Sequence, residues 1–88
     1  MRRNANFILR NICEENILVP IGPQVKQMNG FVRLNETGAF IWNLLNDNQE
    51  IEEIVEAIAV KYKVDIQRAR TGVKTFLNQI QQMGIIDV

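Results

Sequence analysis

The run "IEEIVEAIAVKY" (Ile51–Tyr62) constrains this 88-residue chain more than any other stretch. Ile51, Ile54, Val55, Ile58, Ala59 and Tyr62 recur at i, i+3, i+4, i+7, i+8 and i+11, with Glu52, Glu53, Glu56 and Lys63 on the other side. That spacing draws one apolar stripe along a helix, and the stripe must be covered by another element. The pattern returns in Ile66, Ala69, Val73, Phe76, Leu77, Ile80 and Met83. Asp65 precedes this second run as an N-cap, and Gly84 follows it in a C′ position. A further helix comes before both: Asn35 is a favoured N-cap, Glu36 complements the positive helix start, and the helix is expected to reach about Leu45 and stop at "NDN". Trp42, the single tryptophan, is expected in the core.

The first half obeys a different period. Phe7–Ile12 and Ile17–Val19 are short runs rich in β-branched and apolar residues, separated by "CEEN", and read as a hairpin of undetermined loop type. Pro20, Gly22 and Pro23 break regularity there, with room for a short excursion over Gln24–Gln27. Asn29-Gly30 tolerates the positive φ of a type I′ turn, so Phe31–Leu34 is expected to turn back as a third strand. Strands over about 7–35 followed by helices over about 36–84 give an α+β fold rather than α/β. The expected architecture is a small three-stranded antiparallel sheet on three helices, winged helix-turn-helix-like, in one domain spanning 1–88.

Composition removes several function classes. There is no histidine and one cysteine, so Ser–His–Asp and Cys–His catalysis lack an imidazole, and a four-ligand zinc site lacks its donors. Cys13 has no partner for an intrachain disulfide and is expected to be a small buried side chain. Glu52, Glu53 and Glu56 read as a solvated face, not a metal site; no metal and no cofactor is expected. Ten basic and ten acidic residues cancel, and a neutral total weighs against nonspecific binding of nucleic acid. The apolar run that should follow "MRR" in a signal peptide is interrupted by Arg10, and no window approaches the roughly 18 apolar residues of a membrane span. A cytoplasmic protein is expected.

The segments "LNETGAFIWNLL", "IEEIVEAIAVKYKVD" and "VKTFLNQIQQMGII" resemble the PqqD family, protein D of pyrroloquinoline-quinone biosynthesis. Upstream, "NFILRNICEENILVPIG" and "NGFVRLNE" resemble its stand-alone members, so the likeness covers nearly the whole chain. That family is the type case of the RiPP recognition element. The resemblance implies a domain that is not an enzyme. It implies a peptide-binding adaptor that takes the leader segment of a ribosomally made precursor as an added strand, in a groove closed by the last helix. The partners implied are that precursor peptide and a peptide-modifying enzyme, of radical-SAM or another type. Two positions depart from the family pattern. Gly72 stands where an acidic residue usually precedes "Val-x-x-Phe-Leu", and Glu50 stands where Ser or Thr usually caps the second helix, with Glu53 still at the capping-box position.

Under that resemblance the peptide-binding residues are Phe31, Val32, Arg33 and Leu34 on the strand, with Arg70, Val73, Lys74, Leu77 and Gln81 on the last helix. From pattern alone Arg70, Lys74, Leu77 and Gln81 form a stripe at i, i+4, i+7 and i+11 that flanks the core as a solvated face. The resemblance makes it a groove wall, whose two cations suit an acidic leader. Two readings from other classes stand beside this one. A small winged-helix DNA-binding protein would read bases and phosphates with Gln67, Arg68, Arg70, Thr71 and Lys74. A structural module would form a homodimer by pairing exposed strand edges.

Overall fold

A computed structural model of the chain describes residues 2–27, 30–45 and 49–87. Strand β1 (Arg2–Arg3) is followed by β2 (Phe7–Ile12) and β3 (Glu15–Pro20), then a single helical turn, α1 (Gln24–Gln27). Strand β4 (Val32–Leu34) leads into helices α2 (Glu36–Leu44), α3 (Ile51–Tyr62) and α4 (Ile66–Gln82), and β5 (Ile86–Asp87) closes the order. The three-stranded sheet runs β2-β3-β4, antiparallel throughout, and the helices follow it, so the α+β architecture expected from the order of periods is the one observed.

The helix boundaries follow local chemistry. Asn35 caps α2 by accepting from the Gly38 N–H at 2.7 Å. Asp65 caps α4 by accepting from the Gln67 and Arg68 N–H groups at 3.0 and 3.4 Å. At Glu50 the backbone N–H donates to Glu53 Oε1 at 3.0 Å, so the capping-box position partly replaces the missing hydroxyl. Gly84 ends α4 at φ +75°, with Gly84 N–H donating to the Gln81 carbonyl and Ile85 N–H to that of Ile80. Those two bonds define a Schellman motif, which satisfies carbonyls the helix leaves open. The expected "NDN" stop falls at residues 46–48, outside the described residues; Leu45 is the C-cap of α2.

The core lies between the inner face of the sheet and the three long helices. Trp42, Leu18, Ile41, Leu45, Ile54, Val55, Val73, Ile80 and Ile85 are each almost wholly buried. On β3, Leu18 faces this core between Leu9 of β2 and Val32 of β4. Its neighbour Ile17 is buried on the opposite face, where the register sets it between Arg10 and Arg33. The aliphatic stems of long cations suit that sheltering role.

Two turns differ from expectation. The tight turn of the sheet is Cys13-Glu14, flanked by the Ile12–Glu15 pair, and both turn residues have positive φ, 51° and 66°. Cys13 is therefore exposed at a hairpin tip and not buried as its residue type suggests. The third strand does not follow a two-residue Asn29-Gly30 turn. It reaches β3 across residues 21–31, a connection that contains α1; Asn29 lies outside the described residues, and Gly30 has φ +100°. The strand itself is Val32–Leu34, leaving Phe31 just before it. Left-handed backbone costs an ordinary residue about 1–2 kcal/mol. Replacing Cys13-Glu14 by Asn-Gly should therefore raise stability by about 1–2 kcal/mol in urea unfolding, whereas the same change would be neutral if the turn were not type I′.

The ends of the described chain pair with each other. Arg2 faces Asp87 and Arg3 faces Ile86 in a two-stranded antiparallel ribbon. Asn4 extends it, its backbone N–H donating to the Ile85 carbonyl at 2.8 Å and its side-chain amide to that of Gly84 at 3.0 Å.

Candidate functional site

Strand β4 has β3 on one side and no strand on the other among the described residues, so one row of its backbone N–H and C=O groups is unpaired within the sheet. Helix α4 runs alongside this edge. Between them lies a groove of about 310 Å³, with Val32, Arg33, Leu34 and Asn35 on the strand side and Phe76, Gln79, Ile80 and Met83 on the helix side. Val32 is half-buried, Leu34 is buried, and Arg33 is exposed, where it pairs with Glu15 at 3.4 Å. Phe31 is exposed and does not line the groove.

The helix stripe nominated from sequence lies elsewhere. Arg70 forks onto Glu52 of α3, Nε to Oε1 at 3.1 Å and Nη2 to Oε2 at 2.7 Å. This bond is the main cause that lowers the Glu52 carboxyl pKa; the charges of Arg70 and Lys74 lower it further, and desolvation opposes them. Arg70 and Lys74 therefore serve the α3 side of α4. Val73 and Leu77 are core residues, 1% and 4% exposed, and Gln81 is exposed. At 3.6 residues per turn, the row Arg70–Lys74–Leu77–Gln81 and the row Phe76–Gln79–Met83 are centred roughly 150–160° apart on the helix. They flank the buried Ala69–Val73–Ile80 row from opposite sides, and only the Phe76–Gln79–Met83 row faces β4. The signal for it was present: Phe76 and Met83 belong to the apolar pattern but sit at its margin. Phe76 ends half-buried and Met83 43% exposed, as residues at the margin of a stripe do when the neighbouring element stops short.

Beyond Asn35 lies a larger depression of about 590 Å³, framed by the start of α2, the end of α3 and the middle of α4. Asn35, Phe76 and Gln79 line both spaces. The Phe76 ring lies against Gly38, where an added Cβ would come within 2.9 Å of Phe76 Cε1. Glycine at position 38 thus allows the ring to stand as the partition. Tyr62 lines the depression, and its hydroxyl is buried without a partner among the described residues, an arrangement that costs about 1–3 kcal/mol. Among the described residues no group of three or more His, Cys, Asp or Glu is placed to hold a metal ion, and no helix is long and apolar enough to cross a membrane.

The family profile of coenzyme PQQ synthesis protein D matches residues 15–86, which takes in β3, β4 and all three long helices. The chain belongs to the PqqD family. Two solved structures share the fold of this PqqD-family chain. TbiB1 in complex with the TbiA(beta) leader peptide superposes with a TM-score of 0.79 at 25% identity, over 99% of this chain and 95% of that one. Lasso peptide synthetase B1 complexed with the leader peptide superposes with a TM-score of 0.75 at 17% identity, over 96% and 93%. No curated protein matches the chain in sequence.

Proposed function

We propose that this PqqD-family protein is a non-catalytic adaptor. It binds the leader segment of a ribosomally made precursor peptide as a strand added to β4 and presents it to a modifying enzyme, of radical-SAM or another type. The whole of 1–88 is proposed to act as one recognition unit. The observation that carries this is the open edge of β4 beside a groove of mixed apolar and polar lining, in a chain whose fold is shared with TbiB1 held with a leader peptide. Strand addition needs free backbone groups for affinity and pockets on alternate sides for selectivity, and the edge and the groove offer both. The proposed contacts are Val32, Arg33 and Leu34 with Phe76, Gln79, Ile80 and Met83.

The winged-helix DNA reading loses ground on the same helix. Arg70 is bound by Glu52, and the Thr71 hydroxyl donates to the Gln67 carbonyl at 3.1 Å, so two of its five reading residues are engaged within the fold. NMR titration with the precursor peptide encoded nearest this gene tests the adaptor reading. Shifts are expected in Val32–Leu34 and along Phe76–Met83. Shifts restricted to the β2–β3 hairpin and α3, or saturable binding of duplex DNA with no response to the peptide, would refute it.

A further inference from the structure

We propose that β2 is a self-pairing edge: two copies of this chain join antiparallel along Phe7–Asn11, about a twofold axis at Leu9. Strand β2 ends the sheet on the side away from β4, and β1 pairs with β5 alone. Its hairpin fixes which backbone groups point outward. Cys13-Glu14 is a two-residue turn, so the flanking Ile12–Glu15 pair is hydrogen-bonded, and Arg10–Ile17 and Ile8–Val19 follow at the same parity. Further along, the Ile21 N–H donates to the Asn6 carbonyl at 2.8 Å, while Phe7 stands opposite Pro20, which has no N–H to give. The N–H groups of Leu9 and Asn11 and the carbonyls of Phe7, Leu9 and Asn11 therefore point out of the sheet. Neither N–H has a partner among the described residues.

The edge carries few of the devices that keep an edge strand single. It is six residues long, it pairs with β3 without a bulge, it contains no proline, and its one charge is Arg10. No residue of β2 lines the groove or the depression beside α4. An added strand there finds backbone partners without side-chain pockets, which suits a fixed segment better than a selected peptide. The strand's own sequence completes the edge in one register. About Leu9, the Leu9 N–H reaches the partner's Leu9 carbonyl and the Asn11 N–H reaches the partner's Phe7 carbonyl, each twice by symmetry, so every free donor is used. Arg10 then lies opposite the partner's Ile8. Moving the axis to Arg10 uses the same donors but sets Arg10 against the partner's Arg10, a like-charge pair at the closest cross-strand separation. The product is one continuous sheet with a β4 at each end, so both β4 edges stay open. Their use by a peptide rests on the adaptor reading; the dimer does not.

Sedimentation equilibrium of the full chain, from about micromolar to about millimolar concentration, tests the pairing. The wild type is expected to pass from monomer to dimer within that range, as small interfaces do. Asn11→Pro removes an outward donor at an exposed residue and is expected to weaken the dimer by roughly tenfold while the protein stays folded. A second pair of variants tests the register without touching the backbone. Ile8→Glu and Ile8→Lys remove the same apolar side chain and, in a chain of zero net charge, leave equal and opposite totals. The first sets a carboxylate opposite the partner's Arg10 and the second an ammonium, so the Ile8→Glu dimer is expected to be tighter than the Ile8→Lys dimer by about 2–30-fold. A wild type that stays monomeric at millimolar concentration would overturn the proposal and leave the adaptor reading standing. A dimer that folded Asn11→Pro leaves unchanged, or that Ile8→Glu and Ile8→Lys affect alike, would overturn pairing through β2. Amide shifts at Leu9 and Asn11 that follow added precursor peptide and not protein concentration would give this edge to the peptide and overturn the second copy as its occupant.

Discussion

Trp42→Ala should destabilise the fold by about 3–5 kcal/mol, the range for deleting a large buried aromatic side chain. Trp42 is 2% exposed in the body of α2 and belongs to the same buried cluster as Leu18, Ile54, Ile80 and Ile85, residues of β3, α3, α4 and the turn before β5. The Arg3 guanidinium also lies 5.6 Å from its ring centroid, so the truncation removes a contact to the strand that pairs with β5. No single element can refill that space, because the elements meeting there are held by different loops. For a domain of this size total stability is about 4–13 kcal/mol, so the loss takes a large share of it. Urea unfolding followed by far-ultraviolet circular dichroism measures it without the lost fluorophore. A shift below about 1 kcal/mol would show that the ring does not hold the helices to the sheet.

Legibility in the sequence tracked how local each rule is. Asn35, Asp65 and Gly84 were readable because a cap is decided within four residues, and each acts in its expected role. The stripes of α3 and α4 were readable because burial repeats at the helix period. The sheet was harder. Asn29-Gly30 has hairpin chemistry, yet β4 reaches β3 through α1, while Cys13-Glu14 turns tightly without any of the residues that favour positive φ. There the pairing of six-residue strands on both sides imposes the backbone on the turn. The Arg2–Arg3 and Ile86–Asp87 ribbon left no trace, since two residues carry no period. The candidate site was half legible for a related reason. The strand followed from its residues, but which flank of α4 faces it depends on a rotation that the stripe alone does not fix. Helix α3 packs against the Arg70 side through Glu52, and β4 is left with Phe76, Gln79 and Met83.

Blocking the backbone of β4 should weaken the precursor peptide by about 10–100-fold, more than any side-chain truncation on the strand. N–H groups along a strand point alternately to its two sides, so of Val32→Pro and Arg33→Pro one removes a donor from the open edge and the other breaks the pairing with β3. Proline is tolerated on an edge strand only where its N–H would face away from the sheet, so the variant that keeps a native melting curve is the one that blocks the edge. Its effect is that of a peptide carbonyl left unpaired in the groove, about 1–3 kcal/mol. Arg33→Ala sets the comparison. The Arg33 side chain is 65% exposed, and an ion pair made with the peptide in that setting is worth about 0–1 kcal/mol, so the truncation should cost the peptide less than about fivefold. Isothermal titration calorimetry on the folded proline variant and on Arg33→Ala, with the peptide used for the NMR titration, decides between backbone and side-chain recognition. Equal affinity in the proline variant and the wild type would mean that the peptide does not pair with β4, and a larger loss in Arg33→Ala would make recognition electrostatic.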